Sequence, residues 1–473
     1  MITILLICLI RALIFKPKNA EKPVIEPVKT DPEKAVHDLQ ALIQCRTVSN
    51  LDKSKEDQKE FDKLEATLHS NYPNVFAKAQ FTKLSPREFM FHIDGKSADK
   101  THVSVMMAHF DVVDVALDRW TEKPFDGVRK NGELWGRGTI DTKGTLNGVL
   151  CAADQLLGQG FIPENDMYFC FAGDEEISGC SAKLAVQYFA DHKLDPIIVV
   201  DEGGAVVNGL FPGVTRPTAV IGTAEKGAVA IEFHIDGGGG HASAPKPHTP
   251  VGKLSEIAVE MENETYQFHL TQPVKEMFDT LGREAPFKYR FIFANLWLFK
   301  PVLDKMTKKS GGQLNALVRT TCALTMMSGS PATNVVPSEA MIGANLRLLP
   351  GETYEEVDAK YQAMLKKLGI KATINYPYRW NPSRVSTTDC DGYKKLKKAI
   401  IGAWGEEVIV SPFLMTACAD ARHWGAISDK VYRFSAMKLR PDQLEMIHGD
   451  NERLTEKQIA ETVEFYYRLE KSL

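Results

Sequence analysis

Apolar runs that end, one after another, in a histidine or in acids constrain this chain more than any other feature. Val103–Ala108 stops at His109, with Asp111 two residues on. Met167–Ala172 stops at Gly173-Asp174-Glu175-Glu176, and Ile197–Val200 stops at Asp201-Glu202. Helical patterns over Thr145–Gly158 and Ser181–His192 lie between them. Near-continuous apolar strands alternating with helices predict an α/β class, a mostly parallel sheet covered by helices. Ligands of such sheets gather at the carboxyl ends of the strands. The endings therefore fall on one edge. Asp141 joins them from the glycine-rich stretch Trp135–Gly144, just before a helix.

A length of 473 residues exceeds one ordinary core. The pattern changes near Glu225-Lys226-Gly227. Strands over Ala228–Ile235, Ala323–Met327, Ala340–Leu348 and Lys371–Asn375, with helices over Thr249–Asn263 and Thr353–Leu368, predict a small α+β unit of ferredoxin-like type. A helix over Asp391–Trp404, a strand over Val408–Pro412 and a helix over Thr455–Lys471 resume the first pattern. The expected division is a main domain over 31–225 and 376–473, with an inserted domain over 226–375. Met1–Phe15 is apolar apart from Thr3 and Arg11 and is short for a spanning helix. It reads as a signal or membrane anchor, with Lys16–Lys34 as a tether, so residues 1–30 stand apart and a secreted, periplasmic or membrane-anchored location is expected rather than a cytoplasmic one. The net charge of −4 without a basic block excludes a nucleic-acid footprint. Eight scattered cysteines, none in a C-x-x-C pair, exclude a disulfide scaffold and a cysteine zinc cluster.

Carboxylates gathered at one edge repel one another unless a cation neutralises them. One histidine with three carboxylates therefore asks for metal, and Ile447-His448-Gly449 offers a second imidazole. Zinc takes this donor set, and a pair of zinc ions makes water nucleophilic at neutral pH. Asp111 can accept the other ring N–H of His109 and fix its tautomer. In the Glu175-Glu176 pair, neighbouring side chains point to opposite sides, so one can bind metal while the other stays free as a base.

His109-Phe-Asp-Val-Val, Gly136-Arg-Gly-Thr-Ile-Asp-Thr-Lys-Gly, Gly173-Asp-Glu-Glu, Asp201-Glu-Gly-Gly and Gly240-His-Ala-Ser-Ala-Pro together resemble the co-catalytic zinc exopeptidases. That family includes aminoacylase, succinyl-diaminopimelate desuccinylase and glutamate carboxypeptidase. The resemblance runs from about Asp31 to the end. Within the family, Phe293–Pro301, Leu317–Thr321 and Ile447-His-Gly look most like the Gly-X carboxypeptidase and N-acyl-amino-acid hydrolase/synthase subgroup. It implies a zinc-exopeptidase-like sheet and an inserted lid/dimerisation domain. It also implies two zinc ions per subunit, replaceable by cobalt or manganese: His109 and Glu202 on one, Glu176 and His448 on the other, Asp141 between them. Asp201 competes with Glu202 for its place, and the family pattern favours Glu202. Glu175 matches the general base and Asp111 the group orienting His109. His241 matches a histidine that stabilises the oxyanion, in some relatives across a dimer interface. Asn334 and Arg347 match groups holding substrate carbonyl and carboxylate. Arg422 lies in Thr416–Arg422, a loop that usually carries a polar pair where Cys418 and Ala419 stand here. The implied activity is hydrolysis of an amide or peptide bond next to a free carboxylate, on a small peptide. The alternatives are an N-acyl-amino-acid amidohydrolase/synthase, with Thr265–Gly311 over the acyl pocket, and a non-catalytic binding protein on the same fold.

Overall fold

The computed structural model describes residues 2–18, 25–209, 211–264 and 266–473. Eight strands form the larger sheet, in the spatial order Gln80–Ser85, Glu88–Ile93, Asp166–Ala172, His102–His109, Asp195–Val207, Val431–Lys438, Thr218–Glu225 and Ile409–Met415. His102–His109 runs parallel to both neighbours, and the pairs Asp195–Val207/Val431–Lys438 and Thr218–Glu225/Ile409–Met415 are also parallel. The Gln80 edge is an antiparallel hairpin. Alternation within His102–His109 divides it between two cores. Met106 and Ala108 face the helices Pro32–Ile43, Lys143–Gly158, Asp391–Trp404 and Glu456–Ser472, whereas Val103, Val105 and Met107 face Ala185, Phe189 and Trp424. The helix Pro32–Ile43 starts where Pro32 and an Asp31 side chain accepting from the Lys34 N–H make a start favourable.

One expected strand end is wrong. The strand at Ile197 runs to Val207, so Asp201 and Glu202 lie within it. They escape ordinary pairing because the register jumps there: Arg433 opposes Asp201, and the next residue, Phe434, opposes Gly204. The bulge places Glu202 and Gly203 outside the ladder, with Gly203 at φ 137°.

The smaller sheet is antiparallel throughout, in the order Thr321–Ser328, Glu339–Leu348, Gly227–Asp236 and Thr373–Trp380. Helices Pro250–Asn263 and Tyr354–Leu368 pack on it through Leu254, Ile257, Val357 and Tyr361. The order along the chain, strand–helix–strand–strand–helix–strand, is the ferredoxin-like one. Four further helices, Gln272–Glu284, Phe287–Phe293, Leu296–Ser310 and Gly312–Val318, interrupt it.

The chain crosses between the sheets twice, and the crossings are stitched together. The Glu225 N–H donates to Ser383 Oγ at 2.9 Å, and the Ser383 N–H donates to the Glu225 carbonyl at 3.1 Å. A Cβ at Gly227 would lie 2.7 Å from the Pro382 nitrogen, so the close approach needs glycine. Glu225 pairs with buried Arg433 at 2.8 Å, while Lys226 donates to the carbonyls of Ala316 and Arg319 at 3.0 and 2.9 Å.

Ile2–Ile14 is helical and docks on Phe287–Phe293. Arg11 Nε donates to the Ala294 carbonyl and Asn295 Nδ2 to the Cys8 carbonyl, each at 3.0 Å. The expected tether is held rather than free at Lys18, which pairs with Asp279, and at Lys29, whose carbonyl accepts from Gln155. Its residues 19–24 lie outside the described ones. Among the described residues, no helix is long and apolar enough to cross a membrane.

Candidate metal centre

His109 is the last residue of its strand, and its ring is buried. Nε2 lies 3.0 Å from Asp141 Oδ1 and 3.5 Å from Glu202 Oε1. Nδ1 lies 3.0 Å from the Asp111 main-chain carbonyl and 3.4 Å from its carboxylate. Both partners accept, so they favour a proton on Nδ1 and leave Nε2 to face the acids as a donor atom. His448 reaches the same acids from the other side. Its Nε2 is 3.1 Å from Asp141 Oδ2 and 2.8 Å from Glu176 Oε2. Two imidazoles therefore address opposite oxygens of one carboxylate.

Ligand atoms of His109, Asp141 and Glu176 lie within 4.8 Å of one another, and those of His109, Glu175 and Glu202 do likewise. Burial, then the neighbouring Asp141, pushes the Glu202 carboxyl up to about 8. Burial, then nearby acids outweighing His109, holds Glu175 well above the usual carboxylate range. Glu176 is raised by burial and by Asp141. Asp141 moves the other way: its hydrogen bonds to the two histidines outweigh burial. Hydrogen bonds to Asp141 and Glu176 lift His448 to about 10. Burial disfavours a charged His109, but Glu202, Asp111 and Asp141 outweigh it and hold its pKa well above the usual range. Glu176 Oε1 is buried with no hydrogen-bond partner, an orphaned anionic oxygen that a cation would satisfy. The donor set fits metal.

Asp201 faces elsewhere, its Oδ2 accepting from the Ala421 N–H at 2.8 Å. Arg422 approaches Glu175 Oε1 at 3.9 Å and lies over the Trp380 ring, 5.2 Å from its centroid. Arg347 Nη1 lies 3.1 Å from Cys418 Sγ, so the unusual residue of that loop contacts the expected carboxylate reader. The backbone N–H of Ala419 donates to Glu225, a role needing no side chain. Among the described residues, neither His241 nor Asn334 makes a hydrogen bond or ion pair with these acids; His241 bonds Ser243 instead. Both are exposed: His241 lies in the short antiparallel pairing of Gly240–His241 with Val335–Val336, and Asn334 is the turn residue just before it.

Sequence reasoning missed three supports. Glu452 is fully buried and accepts from the N–H groups of Gly138, Ile140 and Asp141 and from Arg137, fixing the loop that carries Asp141. No motif marks it, although it follows His448 by only four residues. Ser49 donates to Asp111 at 2.7 Å. Asp111 also accepts from the N–H groups of Glu175 and Glu176, so one carboxylate positions both glutamates.

A profile of the peptidase family M20/M25/M40 matches residues 105–471. A Dictyostelium discoideum protein described as probable carboxypeptidase S-like 2 is 31% identical, with 100% of this chain and 92% of that protein covered. The Xenopus tropicalis N-fatty-acyl-amino acid synthase/hydrolase PM20D1 is also 31% identical, over 95% of this chain and 88% of the relative. Among solved structures, the M20 family metallo-carboxypeptidase Sso-CP2 from Sulfolobus solfataricus shares the fold, with a TM-score of 0.69 at 19% identity and coverage of 92% and 98%. The chain belongs to the peptidase family M20/M25/M40 and is a metal-dependent hydrolase of amide or peptide bonds.

Proposed function

We propose that the chain is a carboxypeptidase-type hydrolase that holds two zinc ions, His109 and Glu202 serving one, Glu176 and His448 the other, and Asp141 both. The observation that carries this reading is Asp141 standing between two imidazoles, one on each oxygen. Bound zinc supplies Lewis acidity and a water of lowered pKa, and cobalt or manganese can replace it. Glu175 takes a proton from the attacking water and returns it to the leaving nitrogen. Its burial, which favours the protonated form, suits a group that must keep a proton between two steps. Arg347 reads the substrate carboxylate by charge-assisted bonding, Asn334 holds a carbonyl, and Arg422 keeps the Glu175 side of the site positive.

His241 is assigned to the oxyanion. The Ser243 N–H donates to its Nδ1 at 3.1 Å, so in the neutral ring the proton belongs on Nε2, ready to be donated. Its exposure and its distance along the chain from the acids support delivery from a second copy, in a homodimer formed through an inserted lid over residues 226–375. The apolar segment Ile2–Ile14 supports a secreted, periplasmic or membrane-associated location.

A second reading, N-acyl-amino-acid hydrolysis, is favoured by the apolar cluster of Phe268, Met277, Phe278 and Phe293 in the helical insertion. Zinc-, cobalt- and manganese-loaded protein tested on dipeptides and N-fatty-acyl amino acids separates the two. Turnover of neither class, or no metal retained after dialysis, overturns the proposal.

A further inference from the structure

We propose that the N-terminal helix and the helix Leu296–Ser310 form one face that seats on an anionic phospholipid surface without crossing it. This extends the membrane association proposed above and does not depend on which amide is cut.

Ile2–Ile14 touches the body through a narrow stripe. Only Cys8 and Ala12 are buried, one turn apart, and their small side chains let the helix lie close on Phe287–Phe293. Ile2, Leu5, Leu6, Ile10 and Leu13 are all half exposed or more, and Ile2 reaches 83%. Two side-chain-to-carbonyl bonds, from Arg11 and Asn295, lock this helix onto the start of the next exposed apolar element. On Leu296–Ser310, Leu298, Val302 and Met306 recur every fourth residue and so share one face. Val302 is 60% exposed and neighbouring Trp297 57%. Exposed apolar side chains thus line both helices, and large apolar patches on soluble proteins mark interaction surfaces.

Charge selects the occupant. Residues 2–18 hold Arg11, Lys16 and Lys18 with no acid, only Lys18 being paired with an acid, Asp279, and residues 287–310 hold six Lys or Arg against Asp304 alone. The whole chain has more acids than bases, 61 against 57. Asp304 is already paired with Arg319, while Lys288, Lys300, Lys305, Lys308 and Lys309 are exposed and make no ion pair among the described residues. Apolar side chains with surrounding cations match acyl chains beneath anionic headgroups. The thirteen residues of the N-terminal helix span about 20 Å, against about 30 Å of hydrocarbon, so it lies in the surface rather than through it.

The test is co-sedimentation of the full chain, without substrate, with phosphatidylcholine vesicles containing or lacking phosphatidylglycerol. Binding should be at least about tenfold stronger to the anionic vesicles and weaken in high salt. The combined Val302→Asp and Met306→Asp variant, and separately Lys300→Glu with Lys305→Glu, should each lose about tenfold while keeping the wild-type melting temperature and dipeptide turnover. A blue-shifted fluorescence on vesicle addition should be missing from Trp297→Phe. Equal binding by wild type and variants overturns the proposal. So does a wild type that ignores vesicles and forms a dimer that the Val302/Met306 variant dissociates, because the face then belongs to a second copy. Loss of vesicle binding with intact hydrolysis separates failure here from failure of the proposed activity.

Discussion

Around His109, partners come from all over the chain: Asp111, Asp141, Glu202 and, across the shared acid, His448. Around His241, the contacts are local or come from a two-residue strand pairing, and the ring is exposed. The first region is finished when the chain folds. The second carries an exposed ring whose hydrogen bonds are to Ser243 two residues on. Under the oxyanion role proposed for His241, such a hydrolase would fix its charge centre in advance and leave one contact to closure or to a second copy.

The largest effect should come from Glu175→Gln. Turnover should fall by between about a hundredfold and ten-thousandfold with metal content unchanged, read by kinetics beside elemental analysis. Loss of metal would place Glu175 among the ligands. Glu452→Ala strikes the support of the finished region. Removing one partner of the buried pair with Arg137 should cost about 3–5 kcal/mol in denaturant titration and weaken metal retention. His241→Ala should slow turnover by about a hundredfold to a thousandfold and leave stability and metal content alone. Mixing it with Glu175→Gln should recover activity if the ring acts across a dimer, and should recover none if it acts within one chain. Ser49→Ala should cost about 1.5–3 kcal/mol through the buried bond to Asp111.

The smallest effect is on pH dependence, and it bears on the region around His109 and Asp141. Glu175, Glu176 and Glu202 are raised in the folded state, so the unfolded chain releases their protons first and stability falls as pH rises. His109 and His448, also raised, contribute stability at low pH that is lost as pH climbs through their folded values. Asp141 is lowered and contributes above the ordinary carboxylate range. Chelated protein should therefore lose stability between about pH 6 and pH 10, with Glu202 near 8 and His448 near 10 marking the window. The metal-loaded protein should be flatter. A chelated protein more stable at pH 9 than at pH 6 would contradict the arrangement.

His109, Asp141, Glu176 and Glu202 were legible because each follows or interrupts a recognisable pattern: an apolar run that stops, or a glycine-rich turn before a helix. Glu452 was not. Its task is to receive N–H groups from a loop more than three hundred residues earlier, and only three-dimensional proximity reveals that. The second role of Asp111 is hidden for the same reason, since its partners are backbone groups. The ferredoxin-like unit was visible from its periodicities, but the four helices inside it were not. Their apolar faces are divided between a buried cluster and open surface, which blurs a single-face pattern.

The stitch between Glu225 and Ser383 has a mechanical consequence. Both crossings pass close together, so a tilt of the smaller sheet would have its fulcrum near Gly227. The ten-residue strand Gly227–Asp236 extends about 30 Å from there toward the His241 turn. A tilt of about 10° at the fulcrum would carry the far end through about 5 Å, roughly one side-chain length, while the anchored end moved hardly at all. A change in the packing of Lys226 or Arg433 would act at that fulcrum and be felt most at the tip, far from where it is made.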